Sequence, residues 1–206
     1  DTIDGGTGGA DEVRYDIDER EGGFAGVTVN LATGTAIDGF GDTDTLTNIE
    51  RIRGTDQDDF LTGDANNNRF RSNGGNDTID GGAGVDEVDY VGEENEGALS
   101  GVNVNLATGV ATDAFGDTDT ISSVENIRGT GNFGDTLTGD AGANRIIGLG
   151  GNDTIDGGDG IDQVDYSQDS VFGGTAGVTV DLDAGTATDG FGSTDSLTNI
   201  ESVTGT

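Results

Sequence analysis

The sequence predicts an all-β fold: a right-handed parallel β-roll or β-helix solenoid with about 18–19 residues per coil, built from 76-residue tandem units. Three observations predict it. The string D-T-I-D-G-G begins at Asp1, Asp77 and Asp153, a spacing of 76 both times. A finer period of nine fills Gly54–Asp89 and Thr130–Asp165, with Asp or Asn sixth in each block and an apolar residue eighth. The chain has 40 Gly and no Pro, and only 45 of its 206 residues are Leu, Ile, Val or Phe. So little apolar material cannot build an ordinary core. Self-similarity at a fixed period points instead to units that stack on one another.

The period divides the chain into unit 1 at 1–76, unit 2 at 77–152 and a partial unit 3 at 153–206, read as one continuous solenoid. Each nonapeptide block has six Gly/Asp-rich residues and then three with a central hydrophobe, which is a turn followed by a very short strand. The eighth places are Leu61, Phe70, Ile79 and Val88, then Leu137, Ile146, Ile155 and Val164. A three-residue strand cannot stand alone, so stacked copies must bury these side chains together. Outside the blocks, Val27, Val29 and Leu31 alternate with polar residues, as do their counterparts Val102, Val104 and Leu106, and Val178, Val180 and Leu182. Thr45–Glu50 and its counterparts read as further short strands, giving four coils of similar length per unit. Asp16–Gly23, Val91–Ser100 and Ser167–Thr175 differ most between copies and are expected to be surface excursions. One residue gained near Gly5–Ala10 and one lost near Asp56–Asp59 belong in turns, since a slip within a strand would flip its faces. The chain starts in mid-pattern and stops in mid-unit, which predicts an excerpt of a longer array.

Charge excludes several function classes. There are 41 Asp and Glu against 8 bases, all Arg, for a net charge of −33. Phosphate backbones and anionic membranes would repel such a chain, so neither nucleic acid nor direct membrane insertion is expected. Without Cys there is no disulfide or thiolate zinc site, and without His no Ser-His-Asp or zincin chemistry. The arginines look few and scattered, so no catalytic centre is expected, and Gly-Thr pairs are too sparse for an ice-binding ladder.

The runs Gly81–Asp89 (G-G-A-G-V-D-E-V-D) and Gly157–Asp165 (G-G-D-G-I-D-Q-V-D) match G-G-x-G-x-D-x-U-x at every defined position. In this the chain resembles the RTX, or haemolysin-type, calcium-binding repeat family. The phasing covers Gly54–Asp89 and Thr130–Asp165, with a partial match at Asp1–Val13. The resemblance implies a β-roll in which ions sit between successive turns, held by sixth-place side chains and backbone oxygens. It also implies an extracellular or cell-surface protein that leaves a bacterium by type I secretion.

The residues support that reading directly. Calcium takes six to eight oxygen ligands, and glycine lets a turn aim its carbonyls inward. Two nonapeptides make one coil, so turns two blocks apart lie above one another. That stacks Asp59 over Asp77 and Asp135 over Asp153 on one side. On the other it pairs Asn68 with Asp86 and Asn144 with Asp162, where less charge predicts weaker binding. With Asp11 in the partial match, these nine residues are the candidate calcium ligands, serving several Ca2+ ions. The D-x-F-G-D-T-D loops at Asp38–Asp44 and Asp113–Asp119, with D-G-F-G-S-T-D at Asp189–Asp195, hold either a further ion or a phenylalanine plug (Phe40, Phe115, Phe191). Glu50, Glu125 and Glu201 are read as turn caps or as partners of Arg53 and Arg128, and Asp80, Asp89, Asp156 and Asp165 as a solvated face.

The function expected is a calcium-stabilised extracellular structural array, such as an adhesin stalk, surface-layer protein or fibre, that folds after export. Its partners would be calcium and neighbouring repeats, including end-to-end self-assembly. The alternative is the calcium-folding, export-assisting tail of a secreted protease, lipase or toxin.

Overall fold

A block in which six of nine residues are turn formers leaves room for three strand residues, and the nonapeptide strands of the computed structural model have that length. It describes all 206 residues apart from the side chains of Glu19 and Glu94. The chain divides into two compact units, Asp1–Asp89 with Asp117–Val124, and Tyr90–Gly116 with Glu125–Thr206.

In the first unit one sheet orders the strands Thr2–Asp4, Thr43–Thr47, Thr35–Ile37, Thr28–Asn30, Phe60–Thr62, Thr78–Asp80 and Thr118–Ser122. The other orders Glu12–Arg14, Arg51–Arg53, Arg69–Arg71 and Glu87–Asp89. The second unit repeats the plan. One sheet runs Val110–Thr112, Asn103–Asn105, Thr136–Thr138, Thr154–Asp156, Thr194–Thr198, Thr186–Thr188 and Thr179–Asp181. Its partner runs Asn126–Arg128, Arg145–Ile147, Gln163–Asp165 and Ser202–Thr204.

Consecutive nonapeptide strands alternate between the two sheets, so each eighth-place side chain meets its counterpart two blocks along the chain. Leu61 is opposite Ile79, and Phe70 is opposite Val88. In the second unit Leu137 is opposite Ile155 and Ile146 opposite Val164. All eight are at most 1 % exposed. Each such side chain contributes roughly 1.5–3 kcal/mol of burial. Their parallel stacking between two sheets is the β-roll that the periodicity predicts.

The four-coil reading of the 76-residue unit is corrected. Thr28–Asn30 runs parallel to Phe60–Thr62 but antiparallel to Thr35–Ile37, which in turn is antiparallel to Thr43–Thr47. The same reversal recurs at Thr186–Thr188, antiparallel to both its neighbours, and at Asn103–Asn105 against Val110–Thr112. The cause is a local turn. Asn30 Oδ1 accepts the Thr33 N–H at 2.9 Å, and Gly34 takes a left-handed φ of 66°, so the chain doubles back before it can complete a coil.

The three variable excursions each contain one turn of helix, Asp18–Glu21, Glu93–Glu96 and Asp169–Phe172. Ile17, Leu99 and Val171 are exposed there, as expected of surface segments. Their acids are another matter. Glu93 and Asp169 are buried, so the excursions are tied inward. Among the described residues, no helix is long and apolar enough to cross a membrane.

Candidate metal centre

The sixth-place side chains turn into the corner between coils, where each accepts a backbone N–H from the neighbouring coil. In the first unit Val27 N–H donates to Asp59 Oδ1 at 2.7 Å, Asp59 N–H to Asp77 Oδ1 at 2.8 Å, and Asp77 N–H to Asp119 Oδ1 at 3.0 Å. The second unit repeats this ladder. Val102 N–H donates to Asp135 Oδ1 at 2.9 Å, Asp135 N–H to Asp153 Oδ1 at 2.9 Å, and Asp153 N–H to Asp195 Oδ1 at 3.1 Å. All six carboxylates are at most 2 % exposed. The two-block spacing therefore brings Asp59 to Asp77 and Asp135 to Asp153. The sequence reading missed the third member of each ladder, because an excursion and a hairpin put it much further along the chain. The available signal was the last Asp of the D-x-F-G-D-T-D loop, which returns at the same place in every copy.

On the opposite side Asn68 N–H donates to Asp86 Oδ1 at 2.6 Å and Asn144 N–H to Asp162 Oδ1 at 2.8 Å. The asparagine oxygens accept in turn the N–H of Asp64 and of Asp140, both at 2.8 Å. Here the ladder ends on a glutamate, since Asp162 N–H donates to Glu201 Oε2 at 2.8 Å. Asp11 has the same setting. Its N–H donates to Glu50 Oε2 at 3.1 Å, and its partner across the coil is that glutamate and not a second Asp. Glu50 and Glu201 are thus turn caps, while Arg53 lies 3.6 Å from Asp16 and Arg128 stacks over the Phe172 ring.

The first glycine of a block is explained by the same geometry. A Cβ on Gly54 would lie 2.0 Å from Asp59 Oδ2, and one on Gly148 2.1 Å from Asp153 Oδ2. The place of that side chain is taken by the carboxylate. Thr55 and Thr130, both fully buried, give their hydroxyls to Asp59 and Asp135 at 2.9 Å.

Two expectations about the remaining acids need correction. Asp89 and Asp165 are not on a solvated face: Asp89 is buried against Arg71 at 2.8 Å and Asp165 against Arg145. Nor are the arginines scattered, since Arg51 and Arg53 stand in register with Arg69 and Arg71 on adjacent strands. Ninth-place acids and arginines one coil away meet across strands, which favours pairing over hydration. In the acidic loops, the leading Asp38, Asp113 and Asp189 fold the loop by accepting its own N–H groups. Phe191 packs against Val91, Ile147 and Leu149, whereas Phe40 is exposed.

Electrostatically the ladders are strained. Burial, followed by the charge of Asp119, pushes Asp77 up to about 9. Burial, followed by Asp135, pushes Asp153 up to about 9. Burial also raises Asp162, and it raises Asp195 to about 6. Tyr166 is held well above its ordinary value by burial and by Asp195, to which its hydroxyl donates at 2.9 Å. One oxygen of each of Asp77, Asp153 and Asp162 is committed to a backbone N–H, while the other is buried without a hydrogen-bond partner. An ionised carboxylate in that position is costly unless a cation offsets it.

These donors fit calcium. They are all hard oxygens, with no His or Cys in the chain, and calcium accepts carboxylates together with backbone carbonyls and water. Among the described residues no three acidic side chains converge closely enough to hold an ion by themselves. Carboxylates would therefore enter in pairs, with backbone oxygens or water completing the shell. Asp59 with Asp77, and Asp135 with Asp153, are the pairs that would hold it; the ion would supply the charge that lets them stay ionised while buried.

Comparison with known proteins agrees with this geometry. The family model described as RTX calcium-binding nonapeptide repeat (4 copies) matches residues 53–88 and 129–164. No curated protein matches the chain. Repeats of this kind bind Ca2+ and typically belong to secreted proteins. The matched residues are those that build the stacked glycine corners, and these two stretches, set in a parallel β-roll, are similar to RTX calcium-binding nonapeptide repeats.

Proposed function

We propose that this chain is a calcium-stabilised structural segment of an extracellular bacterial protein, such as an adhesin stalk, surface layer or fibre. It is exported through a type I system in an expanded state and folds on meeting calcium outside. The observation that carries this reading is the pair of buried carboxylate ladders, Asp59–Asp77–Asp119 and Asp135–Asp153–Asp195. In them, Asp77 and Asp153 each retain a buried oxygen without a hydrogen-bond partner.

Where calcium is sub-micromolar, stacked carboxylates about 4.8 Å apart repel one another and oppose folding. Where it is millimolar, the free energy of binding becomes free energy of folding. Extracellular calcium modules typically bind at roughly 10⁻⁴–10⁻³ M, which suits a switch between the two compartments. Each 76-residue unit folds in this way, and neighbouring copies of the protein associate through exposed strand edges. The segment itself has no catalytic role in this reading.

The test is calorimetric titration of calcium into the wild-type chain and into Asp77→Asn/Asp153→Asn. The reading predicts binding that weakens markedly in the variant. Equal calcium binding by the two proteins would contradict it. Counting the 76-residue units in the complete gene separates a structural array, with many copies, from the export tail of an enzyme, with two or three beside a catalytic domain.

A further inference from the structure

A second acidic corner lies outside the nonapeptide blocks and recurs with the 76-residue period. In its third copy, Asp169 on the single helical turn and Asp189 at the head of the D-G-F-G-S-T-D loop are both 0 % exposed. Each commits one oxygen to the backbone. Asp169 Oδ2 accepts the Gly190 N–H at 2.8 Å, and Asp189 Oδ1 accepts those of Phe191 and Ser193 at 3.0 and 2.7 Å. The other oxygen of each, Asp169 Oδ1 and Asp189 Oδ2, is buried and has no hydrogen-bond partner. Asp195 stands close by, with its oxygens engaged by the Asp153 N–H and the Tyr166 hydroxyl. The charges that act most strongly on Asp169 are those of Asp189, Asp195 and Asp165, all negative.

The first copy repeats these hydrogen bonds, although its Asp18 and Asp38 are only half-buried. Asp18 Oδ2 accepts the Gly39 N–H at 3.0 Å, Asp38 Oδ1 accepts those of Phe40 and Asp42, and Asp44 takes the Tyr15 hydroxyl. The excursions vary more between copies than any other segment, yet an acid stands three residues after a tyrosine in each: Tyr15–Asp18, Tyr90–Glu93 and Tyr166–Asp169. A purely solvated excursion would not require that acid, nor bury it.

We infer that this corner is a second site for a hard divalent cation, separate from the nonapeptide sites. Its ligands are Asp169 Oδ1 and Asp189 Oδ2, with Asp195 adding charge beside them. Burying two carboxylate oxygens without donors or counter-charge opposes folding, and an oxygen-seeking cation removes that penalty. Since no three acidic side chains converge among the described residues, backbone oxygens or water complete the shell. The ion pins the helical excursion to the loop, so the third copy gains a staple away from its glycine corners.

The test counts bound calcium per chain by equilibrium dialysis for wild type, Asp169→Asn/Asp189→Asn and Asp153→Asn. Asparagine keeps an oxygen for the backbone N–H groups, so the fold should survive. The inference predicts one ion fewer in the Asp169/Asp189 variant with an unchanged circular dichroism spectrum. An unchanged count in that variant overturns it; if Asp153→Asn alone loses ions, the nonapeptide reading stands while the corner site falls. Should the double variant fail to fold, the wild-type chain crystallised in calcium decides. An anomalous peak between Asp169 and Asp189 supports the inference, and its absence overturns it.

Discussion

Gly148 has no left-handed backbone to explain it, yet a Cβ there would lie 2.1 Å from Asp153 Oδ2. Gly148→Ala must displace the carboxylate from its corner. The expected cost is about 1–3 kcal/mol, as for other overpacked sites, read as a lower urea midpoint in calcium. Gly9→Ala, with nothing within 4 Å of its Cβ, should leave the midpoint unchanged. The carboxylates themselves make stability depend on pH. An unfolded Asp titrates near about 3.9, whereas burial holds Asp77 and Asp153 at about 9 in the metal-free fold. Between those values the folded chain binds more protons than the unfolded one, so metal-free stability is greatest in acid and falls as pH rises from about 4 to about 9. Circular dichroism of the chelated chain should show more β-structure at about pH 4.5 than at about pH 8. Calcium needs the ionised form, so at about pH 4.5, where the protonated metal-free fold persists, its binding must release protons, a release that calorimetry in two buffers of different ionisation enthalpy would detect.

Single-residue hydrophobes become a core only when strands repeat in register. Ile155 sits between Leu137 and Leu197 in its sheet, and Ile155→Ala should cost about 2–5 kcal/mol in urea unfolding, the usual loss for a fully buried aliphatic. These rungs were legible because the period of nine fixes which side chain points inward. So were the Asp/Asp and Asn/Asp pairs, since two blocks make one coil. The antiparallel return at Thr35–Ile37 was not. Its apolar alternation has the same period as a parallel strand, and only the Asn30–Gly34 turn sets its direction. Nor did the spacing reveal Asp119 and Asp195 as ladder members, because the inserted hairpin changes the distance along the chain without changing the place in the sheet. Asp89 and Asp165 were misread for another reason. Whether an outward acid is solvated or paired depends on the residue one coil away, and Arg71 and Arg145 supply the partners.

Across the whole molecule a net charge of −33 must coexist with a fold that buries its acids. Few side chains can do that work: the eight arginines include several already paired on one sheet of the first unit. In the proposed reading, calcium bound at the stretches that match the RTX model, 53–88 and 129–164, supplies the rest. Removing one ligand from each Asp/Asp pair, as in Asp77→Ala/Asp153→Ala, should raise the calcium needed for half-folding about tenfold, equivalent to about 1.4 kcal/mol. Far-ultraviolet circular dichroism of the wild-type chain at neutral pH, followed from chelator excess into millimolar calcium, measures the coupling of metal to fold most directly. The expected record is a cooperative rise from a disordered to a β-rich spectrum, reversed by adding chelator. A spectrum that is already β-rich in chelator, and that calcium does not alter, would contradict the account.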